Sequence, residues 1–200
     1  LRAAVEATEY AMKFQENWDG PPESSVDWTV QAALDRYGID RWGLGYFAIN
    51  DAGNVVVRPD PAKIDQEIEL LEVIEGLGAR DLTTPILLRF GGILDDRLRS
   101  INDSFCSAIA ENDYQGDYVA AYPIKVNQQR HLIEEVVSAG AEWQYGLEAG
   151  SKPELLIALA AMNSEDGFIV CNGYKDRAYI ETALVAQKFD NKVVIVLERP

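Results

Sequence analysis

The sequence predicts an α/β fold of about five βα units, preceded by a β-hairpin that stands outside them. Two observations carry this. From Lys63 onward, helical stretches alternate with short, β-branched, apolar runs, the pattern of a parallel sheet covered on both faces. Ahead of them, Leu44–Ile49 and Val55–Arg58 flank Asn50-Asp51-Ala52-Gly53-Asn54, a turn with glycine where a positive φ is wanted.

Each element has its own justification. Residues 1 to about 18 read as an amphipathic helix, with Leu1, Val5, Met12 and Trp18 among its apolar positions. Asp19 to Ser25 is a linker by composition, and Asp27 is the expected N-cap of a helix through Arg36. Pro59 and Pro61 close the hairpin unit. The alternation then runs: helix Asp65–Leu77, strand Pro85–Phe90, helix Leu94–Glu111, strand Tyr118–Val126, helix Gln129–Ala139, strand Tyr145–Glu148. It continues with helix Pro153–Met162, strand Gly167–Cys171, helix Asp176–Phe189 and strand Val193–Leu197. Pro153 suits the first turn of its helix, where its missing N–H is not needed. Gly140 has the position of a C-cap glycine. The resulting division is 1–27 for the terminal helix and linker, 28–61 for the β-rich segment, and 62–200 for the βα repeat.

Composition narrows the function. Eighteen basic against 33 acidic side chains give a net charge of −15, which argues against a nucleic-acid partner and against an anionic membrane surface. No stretch approaches the roughly 18 consecutive apolar residues of a spanning helix. The two cysteines, Cys106 and Cys171, have no zinc-ligand spacing and read as small buried hydrophobes. A reducing, cytoplasmic compartment is the expectation. The chain opens at Leu1 and closes at Arg199-Pro200, straight after a strand-like run, so a fragment of a longer protein is expected.

Parallel strands of this kind leave two architectures open, a doubly wound sheet and an eight-stranded barrel cut after its fifth strand. In both, chemistry lies at the carboxyl ends of the strands. G-x-G-x-x-G and Walker A loops are absent, which removes the commonest reason to prefer the doubly wound form. Lys125 ends an otherwise apolar strand, where a cation is costly to desolvate. It reads either as a salt-bridged or snorkelling lysine or as an amine poised to form a Schiff base with an aldehyde cofactor. Glu148 ends the next strand, either capping the helix that begins near Pro153 or lining a pocket floor beside Lys125. Asn172-Gly173 is a loop signal. His131, the only histidine, reads as a surface or packing residue, so no histidine triad or multi-histidine metal site can be built from these residues. The acidic residues of 65–75 read as solvated helix faces.

At Tyr122-Pro123-Ile124-Lys125-Val126-Asn127-Gln128 the chain resembles the biosynthetic arginine decarboxylases, pyridoxal-phosphate enzymes of the alanine-racemase-like barrel class. The resemblance continues through Gly146 to Lys152 and Ile169 to Asp176. It includes Trp42 to Phe47 with Asn50 and Gly53, and Pro85 to Phe90, and it runs from about Trp28 to Pro200. It implies a partial (β/α)₈ barrel and a second, β-rich domain to which the hairpin belongs. It implies conversion of L-arginine to agmatine and CO₂, the entry to polyamine synthesis by that route, with pyridoxal phosphate as cofactor, magnesium associated, and a homo-oligomer. Lys125 would carry the cofactor as a Schiff base. Glu148 would stand near the Schiff-base end, and Glu154 and Asn172 would lie in the pocket shell. The stacked histidine, glycine-rich phosphate loop, pyridine-nitrogen carboxylate and cysteine loop of related enzymes do not occur by residue 200. The residues up to Pro200 alone are therefore expected not to decarboxylate arginine.

Overall fold

The computed structural model describes residues 28–162, 167–189 and 191–197. The terminal helix, the linker, the Asp27 cap and Glu198-Arg199-Pro200 lie outside them. The first helix, α1 (Val30–Tyr37), is capped by Thr29, whose hydroxyl accepts the Ala32 N–H at 3.0 Å. A single turn, α2 (Ile39–Trp42), leads into the hairpin strands β1 (Phe47–Ile49) and β2 (Val55–Val57). These pair antiparallel, Ala48 opposite Val56, and Gly53 takes φ +87° in the connecting turn.

A third strand that the sequence did not predict, β3 (Ile68–Glu69), joins the other edge of β2. It is only two residues long, too short for any period-2 signal. Glu69 is consequently not a solvated helical carboxylate, since it accepts the side-chain amides of Asn50 at 2.8 Å and Asn54 at 2.7 Å and ties the turn to β3. Glu67 likewise pairs with Arg58 across the sheet, their Nε–Oε1 distance being 2.8 Å. The helix expected from Asp65 begins only at Leu70, as α3 (Leu70–Gly78).

The βα region holds α4 (Gly91–Glu111), β4 (Ala121–Pro123), α5 (Arg130–Gly140), β5 (Gly146–Ala149), α6 (Lys152–Ala161), β6 (Phe168–Cys171), α7 (Arg177–Gln187) and β7 (Lys192–Ile195). The strands form one parallel sheet in the order β4-β5-β6-β7. Four strands pair among the described residues, where the sequence predicts five. Pro85–Phe90 forms no strand among the described residues, and Leu87 is 73% exposed. An apolar run states a preference for extended backbone, but a strand also needs a partner for its ladder.

The sheet is one-sided, and this separates the two architectures. Leu147, Ile169 and Val193 are in register and buried, packed with Ile133, Leu155 and Tyr179 from the helices. The alternate register row is Pro123, Glu148, Val170 and Val194. None of these four is buried, and Val194 is 51% exposed. A doubly wound sheet would cover that row with helices, whereas a barrel wall turns it toward its own interior. The expectation of a sheet covered on both faces is thus corrected for the described residues.

Two smaller expectations also change. Gly140 is the last residue of α5 with an ordinary right-handed φ of −80°, and the left-handed residue is Gln144. Gly140 lacks a side chain because a Cβ there would run into the Tyr145 ring. Cys106 is exposed on α4, while Cys171 is buried as expected. Replacing Leu147, fully buried beside Glu148, with alanine is expected to cost about 2–5 kcal/mol, read as a fall in the thermal unfolding midpoint.

Candidate active site

The residues that matter lie where β4, β5 and β6 end. The register sets Pro123, the last residue of β4, opposite Glu148 of β5. Lys125 follows two residues later, in a 3-10 turn over Ile124–Val126. That turn is anchored on both sides. Ile124 is fully buried in the core, and Tyr122 donates its hydroxyl to the Asn127 carbonyl at 3.3 Å, spanning the turn. The Asn127 side chain accepts the Gln129 N–H at 3.0 Å and leads into α5.

The predicted strand Tyr118–Val126 is therefore shorter, and Lys125 stands beyond it, exposed rather than inside an apolar strand. The desolvation argument fails because the face it assumed covered is open. The salt-bridged form of the structural reading finds no partner. Lys125 has no ion pair or hydrogen bond among the described residues, so its amine is a free donor at a strand end.

Glu148 is half-buried. It does not cap α6. That work falls to Ser151, whose hydroxyl accepts the Glu154 N–H at 3.5 Å, and to Glu154, whose carboxylate accepts the Gly150 N–H at 2.7 Å. This is a capping-box arrangement displaced by one residue, with Pro153 in the first turn as predicted. Glu148 Oε2 is buried and has no hydrogen-bond partner among the described residues. A buried carboxylate oxygen left unpaired is costly and calls for an explanation such as a bound group.

Asn172 follows β6 and is half-buried. Its backbone N–H donates to the Ala149 carbonyl at 2.8 Å. Gly173 comes next, with φ +70°, and a Cβ there would meet the Gly150 carbonyl. Lys175 donates to the Gly173 carbonyl at 2.6 Å. The loops after β5 and β6 are thus locked backbone to backbone. His131, by contrast, is exposed on α5, beside a cavity of about 520 Å³ lined in part by Phe47, Arg89 and Glu135.

Two tyrosines, Tyr122 and Tyr179, support this site without having been singled out by the sequence. Tyr122 lies within the quoted motif, but nothing in the motif says that its hydroxyl spans the lysine turn. Tyr179 lies two positions into α7 and reaches back to β5, a contact that no local spacing rule encodes.

The residues fit an aldehyde cofactor that carries a cationic or hydrogen-bonding edge. There is a free primary amine at one strand end, an unpaired carboxylate oxygen in the adjacent strand, and loops whose close approach glycine permits. Among the described residues, no three His, Cys, Asp or Glu side chains gather into a cluster that could hold a metal ion. No described helix is long and apolar enough to cross a membrane.

This arrangement agrees with the relationships of the chain. Residues 98–196, just under half of the chain, match the pyridoxal-dependent decarboxylase pyridoxal binding domain. The chain is 48% identical over 179 residues to the biosynthetic arginine decarboxylase of Prochlorococcus marinus, an alignment covering 90% of this chain and 28% of the relative. It is 50% identical over 173 residues to that of Gloeobacter violaceus, covering 86% of this chain and 27% of the relative. The crystal structure of the biosynthetic arginine decarboxylase from Campylobacter jejuni superposes with a TM-score of 0.74 at 34% identity, over 81% of this chain and 27% of that one. The chain therefore spans just over a quarter of the length of the relatives it matches.

Proposed function

We propose that this chain carries the first part of the pyridoxal-phosphate site of an enzyme that converts L-arginine to agmatine and CO₂. The observation that carries the reading is the unpaired carboxylate oxygen of Glu148 on the strand that pairs with the one Lys125 follows, in a chain whose relatives are named biosynthetic arginine decarboxylases. When bound, pyridoxal phosphate supplies an electron sink for the pair left behind by departing CO₂.

The residues of this chain have separate tasks. Lys125 Nζ would hold the cofactor covalently, and as a free amine it would move a proton at the reacting carbon. Glu148 sets the charge at the edge of the site facing Lys125. Asn172 and Glu154 belong to the surrounding shell, and Glu154 acts by holding the Gly150 N–H and hence the loop after Glu148. The antiparallel sheet of β1, β2 and β3 is read as part of a second, β-rich domain. A homo-oligomer in the cytoplasm is the accompanying expectation.

The test uses the longest natural form of the protein, loaded with pyridoxal phosphate, offered arginine, ornithine, lysine and diaminopimelate separately. Agmatine from arginine, well above the product of any other, supports the reading. A preference for another amine acid moves it to that substrate, and cofactor binding without CO₂ release makes it a non-catalytic carrier. In the same protein, Glu148→Gln is expected to lower kcat by about 10²-fold, the size of one preorganised electrostatic contact. In the cofactor-free protein its unfolding midpoint should stay level or rise, because there the Glu148 Oε2 is buried without a partner.

A further inference from the structure

The Ala149 carbonyl joins three elements at the residue that follows Glu148. It accepts the Asn172 N–H at 2.8 Å from the loop after β6. It also accepts the Tyr179 hydroxyl at 2.7 Å from α7, 30 residues along the chain. Tyr179 is among the largest fully buried side chains. Phenylalanine would fill the same space without bringing a hydroxyl that must be desolvated, so the hydroxyl has a polar task. That task is directional, because both lone pairs of one peptide oxygen are occupied and its plane cannot rotate without losing one of them.

Burial, the Cys171 thiol and the nearby charges of Glu148 and Glu154 all push the Tyr179 phenol toward its protonated form. It therefore stays a donor across the physiological range. Tyr179 also lies within the helix-to-sheet layer rather than on the open face, so it touches neither cofactor nor substrate space.

We propose that Tyr179 is a positioning residue: by clamping the Ala149 carbonyl, it sets the strand end from which Glu148 presents its carboxylate to the cofactor edge. This rests on the pyridoxal-phosphate reading above. Asn172 N–H holds the peptide to the next strand, and Tyr179 holds it to the helix layer. Removing the second leaves the fold intact and lets the first alone define the angle of the peptide.

The experiment uses the full-length, pyridoxal-phosphate-loaded protein with Tyr179→Phe, and with Thr182→Ala as a control on the same helix, where the lost hydroxyl bonds only the Ala178 carbonyl at 2.8 Å. For Tyr179→Phe, kcat is expected to fall about tenfold, the rate equivalent of one hydrogen bond, with KM within about twofold. The pH midpoint of the bound cofactor's absorption change is expected to fall by about half a unit, because a less well placed carboxylate favours the protonated form less. Thr182→Ala should leave both unchanged. Incorporation of 3-fluorotyrosine at position 179 keeps the ring and strengthens the donor, so it should not move the midpoint in the direction that phenylalanine does. A folded, loaded Tyr179→Phe with an unaltered midpoint and kcat overturns the proposal, even if its unfolding midpoint drops. So does an equal shift in Thr182→Ala, or a fluorotyrosine shift in the same direction as phenylalanine. Wild-type protein that shows no cofactor band at all overturns the functional reading instead, and the proposal with it.

Discussion

Lys125→Ala in the cofactor-loaded, full-length protein is expected to lower kcat by about 10³-fold or more. The substitution removes the covalent hold on the cofactor and a proton-transfer group worth roughly 10²–10⁴ in rate. In the cofactor-free protein the same substitution should cost no stability. Lys125 is exposed, lies in a one-turn 3-10 segment and makes no ion pair or hydrogen bond among the described residues. An unchanged cofactor-free unfolding midpoint together with lost activity separates a chemical role from a structural one, because in loaded protein the lost cofactor would itself lower the midpoint. A structural lysine would give the reverse, a lowered cofactor-free midpoint and near-normal turnover. Steady-state agmatine formation on the loaded protein and calorimetry on the cofactor-free protein decide between them.

Gly173→Ala is expected to produce the largest structural effect near the site. The φ of +70° costs an L-residue roughly 1–2 kcal/mol by itself. The added Cβ also meets the Gly150 carbonyl, a backbone atom that cannot move aside as a flexible side chain would. To relieve it, the loop after β6 must separate from the loop after β5, disturbing the Asn172 N–H to Ala149 bond. The unfolding midpoint should fall by several degrees, at roughly 2–4 °C per kcal/mol for a domain of this size. Pyridoxal-phosphate affinity should fall with it. A control at Gly76, where a new Cβ meets nothing within 4 Å, should leave affinity unchanged and stabilise α3 slightly.

The contrast between these two positions shows what was legible in the sequence. The βα alternation was legible because each strand of the parallel sheet is a short β-branched run bounded by turn residues. Helices α4 to α7 and strands β5 to β7 fall within a few residues of their expected places. Lys125 and Glu148 were legible because strand ends are where such folds put chemistry. Their environments were not. Whether Lys125 is exposed, or Glu148 caps a helix, depends on which face of the sheet is covered and on which side chain wins the Gly150 N–H. Ser151 and Glu154 took the cap, and that left Glu148 Oε2 without a partner.

The failures have a common physical origin. Pro85–Phe90 has the composition of a strand but no neighbour to pair with among the described residues. The two-residue β3 has a neighbour but too little sequence to announce itself. Gly140 looked like a left-handed cap, whereas it makes room for Tyr145. In each case the deciding contact comes from residues distant in the chain or from the next element, and periodicity carries no information about it. Tyr179 belongs to the same class: its position in α7 is unremarkable, and its meaning lies entirely in the Ala149 carbonyl it reaches.

If Lys125 is the amine that anchors pyridoxal phosphate, borohydride reduction of the longest natural form of the protein in the presence of pyridoxal phosphate, followed by peptide mapping, will trap it. A phosphopyridoxyl adduct is expected on Lys125, absent from Lys125→Ala, with the other lysines unlabelled at equal cofactor. A folded protein that carries no adduct at Lys125, or carries it equally on exposed lysines such as Lys152, would leave Lys125 a solvent-facing residue at a strand end with no part in holding the cofactor.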